Sequence, residues 1–180
     1  YEINYTVYMP KNAFLEVTNK YGKTVIPSID RDITLEVKYG DLEVADQTKN
    51  INLQIGYGDA VLGDLNNLNC EIKYSELMLK NAVDLNMDSK YSNHKYGKIQ
   101  KLKIDSGYDS FVIESVTNLT NSGKYDDFKI GSAKSVDFDT KYTDVEIKNL
   151  ADRGGFYMKY GEIDIDELGA KPSEIKFDIN

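Results

Sequence analysis

Apolar residues fall into two short alternating runs that recur in every stretch of 17 or 18 residues. The longer run reads Leu68, Cys70 and Ile72, with polar Asn69, Glu71 and Lys73 between them. Its equivalents include Leu85/Met87, Leu102/Ile104 and Val136/Phe138. The shorter run is an apolar pair split by one residue: Leu42/Val44, Leu77/Leu79, Phe111/Ile113, Phe128/Ile130, Val145/Ile147 and Ile163/Ile165. Period-two alternation is the signature of a strand with one buried face. Apolar spacing at i, i+3, i+4 and i+7 is sustained nowhere and strand-forming residues dominate, which excludes helices.

Tyrosines set the phase of this pattern. Tyr21, Tyr39, Tyr57, Tyr74, Tyr91, Tyr108, Tyr125, Tyr142 and Tyr160 follow one another at 17 or 18 residues. With the tyrosine as position 1, positions 4, 6, 12 and 14 are inward. Position 9 is apolar or small (Leu65, Ala82, Ile99, Val116, Ala133, Leu150, Leu168), and positions 13, 15 and 17 are almost entirely polar, as in Asn69/Glu71/Lys73, Asn86/Asp88/Lys90 and Asp137/Asp139/Lys141. Each repeat therefore predicts one strand from about position 12 to position 1, a Gly/Asp/Ser/Thr corner at 2–3, and a second short strand at 4–6. A fixed short period of this kind marks a solenoid. The predicted fold is all-β: a parallel β-solenoid resembling a single-stranded right-handed β-helix, about nine rungs of 17–18 residues. It forms one domain over 1–180, with an N-terminal cap or irregular first rung at 1–20, regular rungs over 21–170 and a final strand at 171–180. In that last strand Ile175, Phe177 and Ile179 share a face.

Parity places the ladder tyrosine on the inward side, as in Ile33-Leu35-Val37-Tyr39. Two roles follow: a stacked filler of the corner, which parity favours, or an exposed aromatic stripe that stacks on sugar rings. Lysine precedes the tyrosine at 20, 38, 73, 90, 124, 141 and 159, and an acid follows two residues later at Asp41, Asp59, Glu76, Asp127, Asp144 and Glu162. These ladders are expected to offset one another, each exposed pair contributing only ~0–1 kcal/mol.

Charge narrows the partners. With 22 basic and 30 acidic residues the net charge is −8, so nucleic acid and anionic membranes are poor candidates. No apolar run approaches the ~18–20 residues of a membrane span. A lone cysteine excludes an internal disulfide but not an extracellular home. The sequence starts at Tyr1 rather than methionine and reads as a piece of a longer precursor, so a missing signal peptide says nothing about compartment.

Candidate chemistry is sparse. His94, the only histidine, stands at an inward position 4 and reads as a satisfied, partly buried side chain. Cys70, at position 14, reads as a core thiol. On different rungs they make neither a metal set nor a Cys-His dyad. Asp109, Asp126, Asp127 and Asp144 fall on three successive corners, where two carboxylates could serve as acid and base. Acids recur along this whole edge, however, and nothing singles out one pair. The calcium-binding nonapeptide of β-rolls, phosphate loops and nucleophile elbows are absent from the sequence. Neither catalysis, a cofactor nor a metal is expected. Position 5 should face solvent, yet holds Val61, Met78 and Val112; this small patch marks a contact site or lies under the N-terminal segment, the second being favoured.

The phrases Tyr39-Gly-Asp-Leu-Glu-Val44, Tyr57-Gly-Asp-Ala-Val-Leu62 and Tyr160-Gly-Glu-Ile-Asp-Ile165, with the opening Tyr5-Thr-Val-Tyr-Met-Pro10, resemble a bacterial family of adhesin domains of unknown function, related to the head domain of autotransporter adhesins. The likeness covers essentially the whole chain, departs from the pattern at His94-Lys95-Tyr96, and transfers no active site. It implies a β-helix-like solenoid exported to the cell surface, outer membrane or periplasm. The expected function is a non-enzymatic binding or adhesion module for glycans, host or matrix proteins, or envelope proteins. The candidate face is Tyr91, Tyr108, Tyr125 and Tyr142 with Asp109, Asp126, Asp127 and Asp144. An envelope scaffold contacting a protein partner is the alternative, and a carbohydrate-active β-helix enzyme the third.

Overall fold

The computed structural model of the chain describes residues 4–179; Tyr1 and the last residue of the expected final strand, Asn180, lie outside them. Thirteen strands and no helix occur among these residues. They are β1 (Leu15–Asn19), β2 (Thr24–Ile26), β3 (Ile33–Lys38), β4 (Leu42–Val44), β5 (Gln47–Gly56), β6 (Asp59–Lys73), β7 (Glu76–Lys90), β8 (Asn93–Gly107), β9 (Ser110–Lys124), β10 (Asp127–Lys141), β11 (Asp144–Lys159), β12 (Ile163–Leu168) and β13 (Glu174–Ile179). Every pairing is parallel, and the main path runs β1-β3-β5-β6-β7-β8-β9-β10-β11-β12. The chain is a parallel β-solenoid of about ten turns.

Residues 1–20 were expected to cap the rod or form an irregular rung, and within them β1 is a first rung, Leu15–Asn19 lying on Ile33–Val37. At the far end β12 and β13 both pair with β11 and together make the last rung.

From β6 to β11 one strand wraps nearly the whole rung, where the sequence suggests two strands and a connector. Pairing is interrupted only at positions 7 and 10 and at the tyrosine corner, as at Gly63, Asn66 and Tyr74-Ser75 between β6 and β7. The chain bends at these points without losing its neighbours above and below. Rungs of 18 residues place the extra residue at the second bend: the register shifts between Gln47 and Asn50, and again opposite Ala133 and Ser135. Parity along the long face therefore survives the insertion, and Phe156 still lies over Phe138.

The interior is one continuous column. Positions 4, 6, 9, 12 and 14 are buried on the 17-residue rungs, the last two moving on by one on the 18-residue rungs, and Phe111, Phe128, Phe138 and Phe156 are fully enclosed. A single rung buries about five apolar side chains worth at most ~1.5–3 kcal/mol each, against ~1–2 kcal/mol for each backbone residue it orders. Only stacking makes it stable.

Candidate functional site

The tyrosine corner does not obey the alternation around it. All eight ladder tyrosines from Tyr39 to Tyr160 have left-handed backbone, with φ between 52° and 63°. A left-handed residue turns the chain so that positions 17 and 1 both face outward and position 2 faces inward. The expected inward tyrosine is thereby overturned: Tyr91, Tyr108, Tyr125 and Tyr142 are 42–48% exposed. From Tyr39 to Tyr142 the backbone N–H is still used, Tyr108 N donating to the Lys124 carbonyl and Tyr125 N to that of Lys141.

The rings form an unbroken stack from Tyr21 to Tyr160, with centroids 4.7–5.7 Å apart and interplanar angles of 2–21°. That spacing is the rung spacing, ~4.8 Å. Neighbours cover the ring faces, so solvent meets ring edges and hydroxyls. A sugar ring finds an uncovered tyrosine face only beyond the two ends of the ladder.

Position 2 points into the rod and carries a second ladder, Ser75, Ser92, Asp109, Asp126 and Thr143, all buried. At the bend the backbone N–H of one rung's position 2 lacks a sheet partner, and the side chain of the next rung accepts it. Ser75 N donates to Ser92 Oγ (3.2 Å), Ser92 N to Asp109 Oδ1 (2.7 Å), and Asp109 N to Asp126 Oδ1 (2.9 Å). The other oxygens are engaged as well: Gly107 N donates to Asp109 Oδ2 and Ser106 Oγ to Asp126 Oδ2. Burial raises the pKa of Asp109, with these hydrogen bonds opposing it, and pushes Asp126 up to about 6.

The eight residues expected to form one face are thus divided. The four tyrosines, Asp127 and Asp144 face out, while Asp109 and Asp126 are inside. Asp144 accepts the Glu162 backbone N–H at 3.0 Å. The corner lysines do not pair with the position 3 acids as expected. Lys38 pairs with Glu36 (2.8 Å) and Lys73 with Glu71, both along their own strand.

His94 is buried more deeply than expected, its side chain fully enclosed, and stacks on Phe111 at 4.6 Å. Ser89 Oγ lies 2.8 Å from His94 Nε2 and 3.1 Å from Asp109 Oδ1. With the hydroxyl proton donated to Asp109, His94 donates from Nε2 and its Nδ1 lone pair has no partner. Burial holds the imidazole down to about 3, hence neutral. Ser, His and Asp therefore meet, but both oxygens lie at the same ring nitrogen, whereas a nucleophilic triad places histidine between its partners. Cys70 is the core thiol the sequence suggests, and burial raises its pKa. Among the described residues no group of three or more His, Cys, Asp and Glu is placed to hold a metal ion.

Sequence reasoning missed the inner ladder because it took position 2 for solvent-facing corner. A signal was present in residue size: position 2 is always Gly, Ser, Thr or Asp, never a long side chain.

A second surface feature lies on the face of positions 5–8. Val61, Met78 and Val112 are 41–48% exposed there, and the described N-terminal residues do not cover them. They floor a shallow groove of about 950 Å³ that runs from Val61 to Lys148.

The fold and these two surfaces define the chain as a β-solenoid with repetitive outer faces. It matches no protein-family model, no curated protein and no solved structure.

Proposed function

We propose that the chain is a non-enzymatic binding module, an adhesion rod displayed on a bacterial cell envelope and belonging to the adhesin-type family its repeats resemble. The carrying observation is the unbroken outward stack of tyrosines from Tyr21 to Tyr160, with a lysine before most of them and an acid after. Such a stripe offers phenol hydroxyls, ring edges and alternating charge at one repeat spacing. A ligand that repeats along its length meets the same contacts again at each rung, so modest contacts combine by multivalency. Because the ring faces are mutually covered, the stripe engages a partner through hydroxyls and edges rather than by stacking. The corner acids suit this reading better than hydrolysis: Asp109 and Asp126 already serve the backbone of the neighbouring rung.

The test is binding of the purified domain to a broad glycan and host-matrix array, with and without calcium. The expected result is a saturable hit that weakens when Tyr108, Tyr125 and Tyr142 are all replaced by alanine in a protein that keeps its β circular dichroism. A blank array together with co-purification of an envelope protein would replace adhesion by a scaffold role.

A further inference from the structure

We propose that the groove over positions 5–8 is a docking site for an acidic amphipathic helix of a partner protein. It rests on the reading of the chain as a binding module, but uses a different face from the tyrosine stripe.

Charge supplies the first argument. In a chain of net charge −8 the groove is lined by five lysines and two glutamates, Glu114 and Glu146. Lys80 is partnered by Asp64 at 2.7 Å. Among the described residues Lys95, Lys98, Lys129 and Lys148 have no carboxylate within ion-pair distance. This is a local excess of free positive charge on an acidic rod, and it is complementary to a carboxylate-bearing ligand.

The floor supplies the second. Val61, Met78 and Val112 are aliphatic, and the one aromatic residue in the lining, Tyr96, is only 2% exposed. Without an exposed ring face the floor does not suit sugar stacking. It suits apolar side chains, which the flexible thioether of Met78 readily accommodates. Gly97 and Gly131 put no side chain on the wall, leaving the groove open at alternate rungs.

Backbone pairing supplies the third. The floor strands β6 to β10 are hydrogen-bonded on both sides, so no edge is free to accept an added strand. An occupant must satisfy its own backbone, which a helix does. The lining spans the rungs of Tyr57 to Tyr142, five steps of ~4.8 Å or roughly 24 Å. A helix of about 16 residues has that length, and its ~5.4 Å pitch nearly matches the rungs. Apolar residues one turn apart would seat on Val61 and Met78 and again on Val112, with glutamates or aspartates between and beside them reaching Lys95 and Lys129, which continue the same column, and the lysines next to it.

The experiment is fluorescence anisotropy of the intact 180-residue chain with labelled peptides of about 16 residues. One peptide carries leucines at helical spacing flanked by glutamates; a second has the same composition scrambled; polygalacturonate serves as the acidic glycan. We expect saturable binding of the patterned peptide, weakening with salt, and at least about tenfold weaker binding of the scrambled one. Met78→Glu, and separately Lys95→Glu with Lys129→Glu, should each weaken it about tenfold or more through lost apolar seating and charge pairing. These residues are exposed, so the variants should keep the wild-type circular dichroism. Equal binding of both peptides, no saturable binding, no effect of the groove substitutions, or tighter binding of polygalacturonate would each overturn the proposal. Array binding that survives the groove substitutions leaves the adhesion reading standing. A blank array with the patterned peptide bound in the groove does the reverse.

Discussion

A tyrosine in the left-handed region carries a steric penalty of ~1–2 kcal/mol that glycine avoids, and this chain repeats it at eight corners. Two things offset it: ring stacking worth ~0.5–1.5 kcal/mol per pair, and the inward turn of position 2, which supplies an acceptor for an otherwise unpaired N–H. Tyr108→Ala keeps the strained backbone and loses both stacks, at 4.9 and 4.7 Å, so denaturant unfolding should show a loss of about 1–3 kcal/mol. Tyr108→Gly also loses the stacks but relieves the strain, and should be milder than alanine by about 1 kcal/mol. If alanine were the milder change, the left-handed corner would be wrong. Titration gives a second test at this scale. Asp126 has its folded pKa raised to about 6 from 3.8, so its contribution is present at low pH and is lost as pH rises through 6. His94, depressed to about 3 from 6.5, contributes above 6.5 and loses that as pH falls. The two oppose each other over this window. Asp126→Asn removes only the first, so lowering the pH from 7.5 to 5 should improve wild type relative to the variant. A difference in unfolding free energy that stays constant with pH would contradict a buried, titrating Asp126.

At the scale of the strand, alternation alone makes most of the fold readable in the sequence. Leu68-Cys70-Ile72 and Leu77/Leu79 face inward as their spacing says, and the period set the rungs. What alternation cannot carry is a reversal of parity inside the chain. Glycine or asparagine normally announces a left-handed residue, and here tyrosine holds that position. One misplaced turn put Tyr108 inside and Asp109 outside, and with them the buried Ser89-His94-Asp109 and Ser106-Asp126 contacts. The groove is legible only as three apolar residues at position 5, because its five lysines come from positions 5, 7 and 8 of four rungs. The inner ladder also explains Gly123. A Cβ there would meet Ser106 Oγ at 2.4 Å and Asp126 Oδ2 at 2.5 Å. Gly123→Ala should therefore lower stability by about 1–3 kcal/mol, the cost of unmaking buried hydrogen bonds. An unchanged unfolding midpoint would mean that the Ser106–Asp126 contact is absent.

Across the whole rod, cohesion passes from each rung to the next, so position along the axis matters. Phe138 is fully enclosed, edge-on to Phe128 of its own rung and stacked on Phe156 of the next, whereas Phe177 on the last rung is 53% exposed. Phe138→Asp places an unpaired charge in a thin core and should abolish cooperative unfolding or lower Tm severely, while Phe177→Asp should cost little more than its stack on Phe156. Equal effects would mean that the core is not continuous along the axis.

The tyrosine stripe depends on which residues the corner turns outward. Residue-resolved oxidative footprinting of the native rod measures that directly. Tyr74, Tyr91, Tyr108, Tyr125, Tyr142 and Met78 should be modified readily, while Tyr96, Met87 and Phe138 stay protected until the rod unfolds. Protected ladder tyrosines would restore the inward parity and remove the outward stripe on which the proposed function stands.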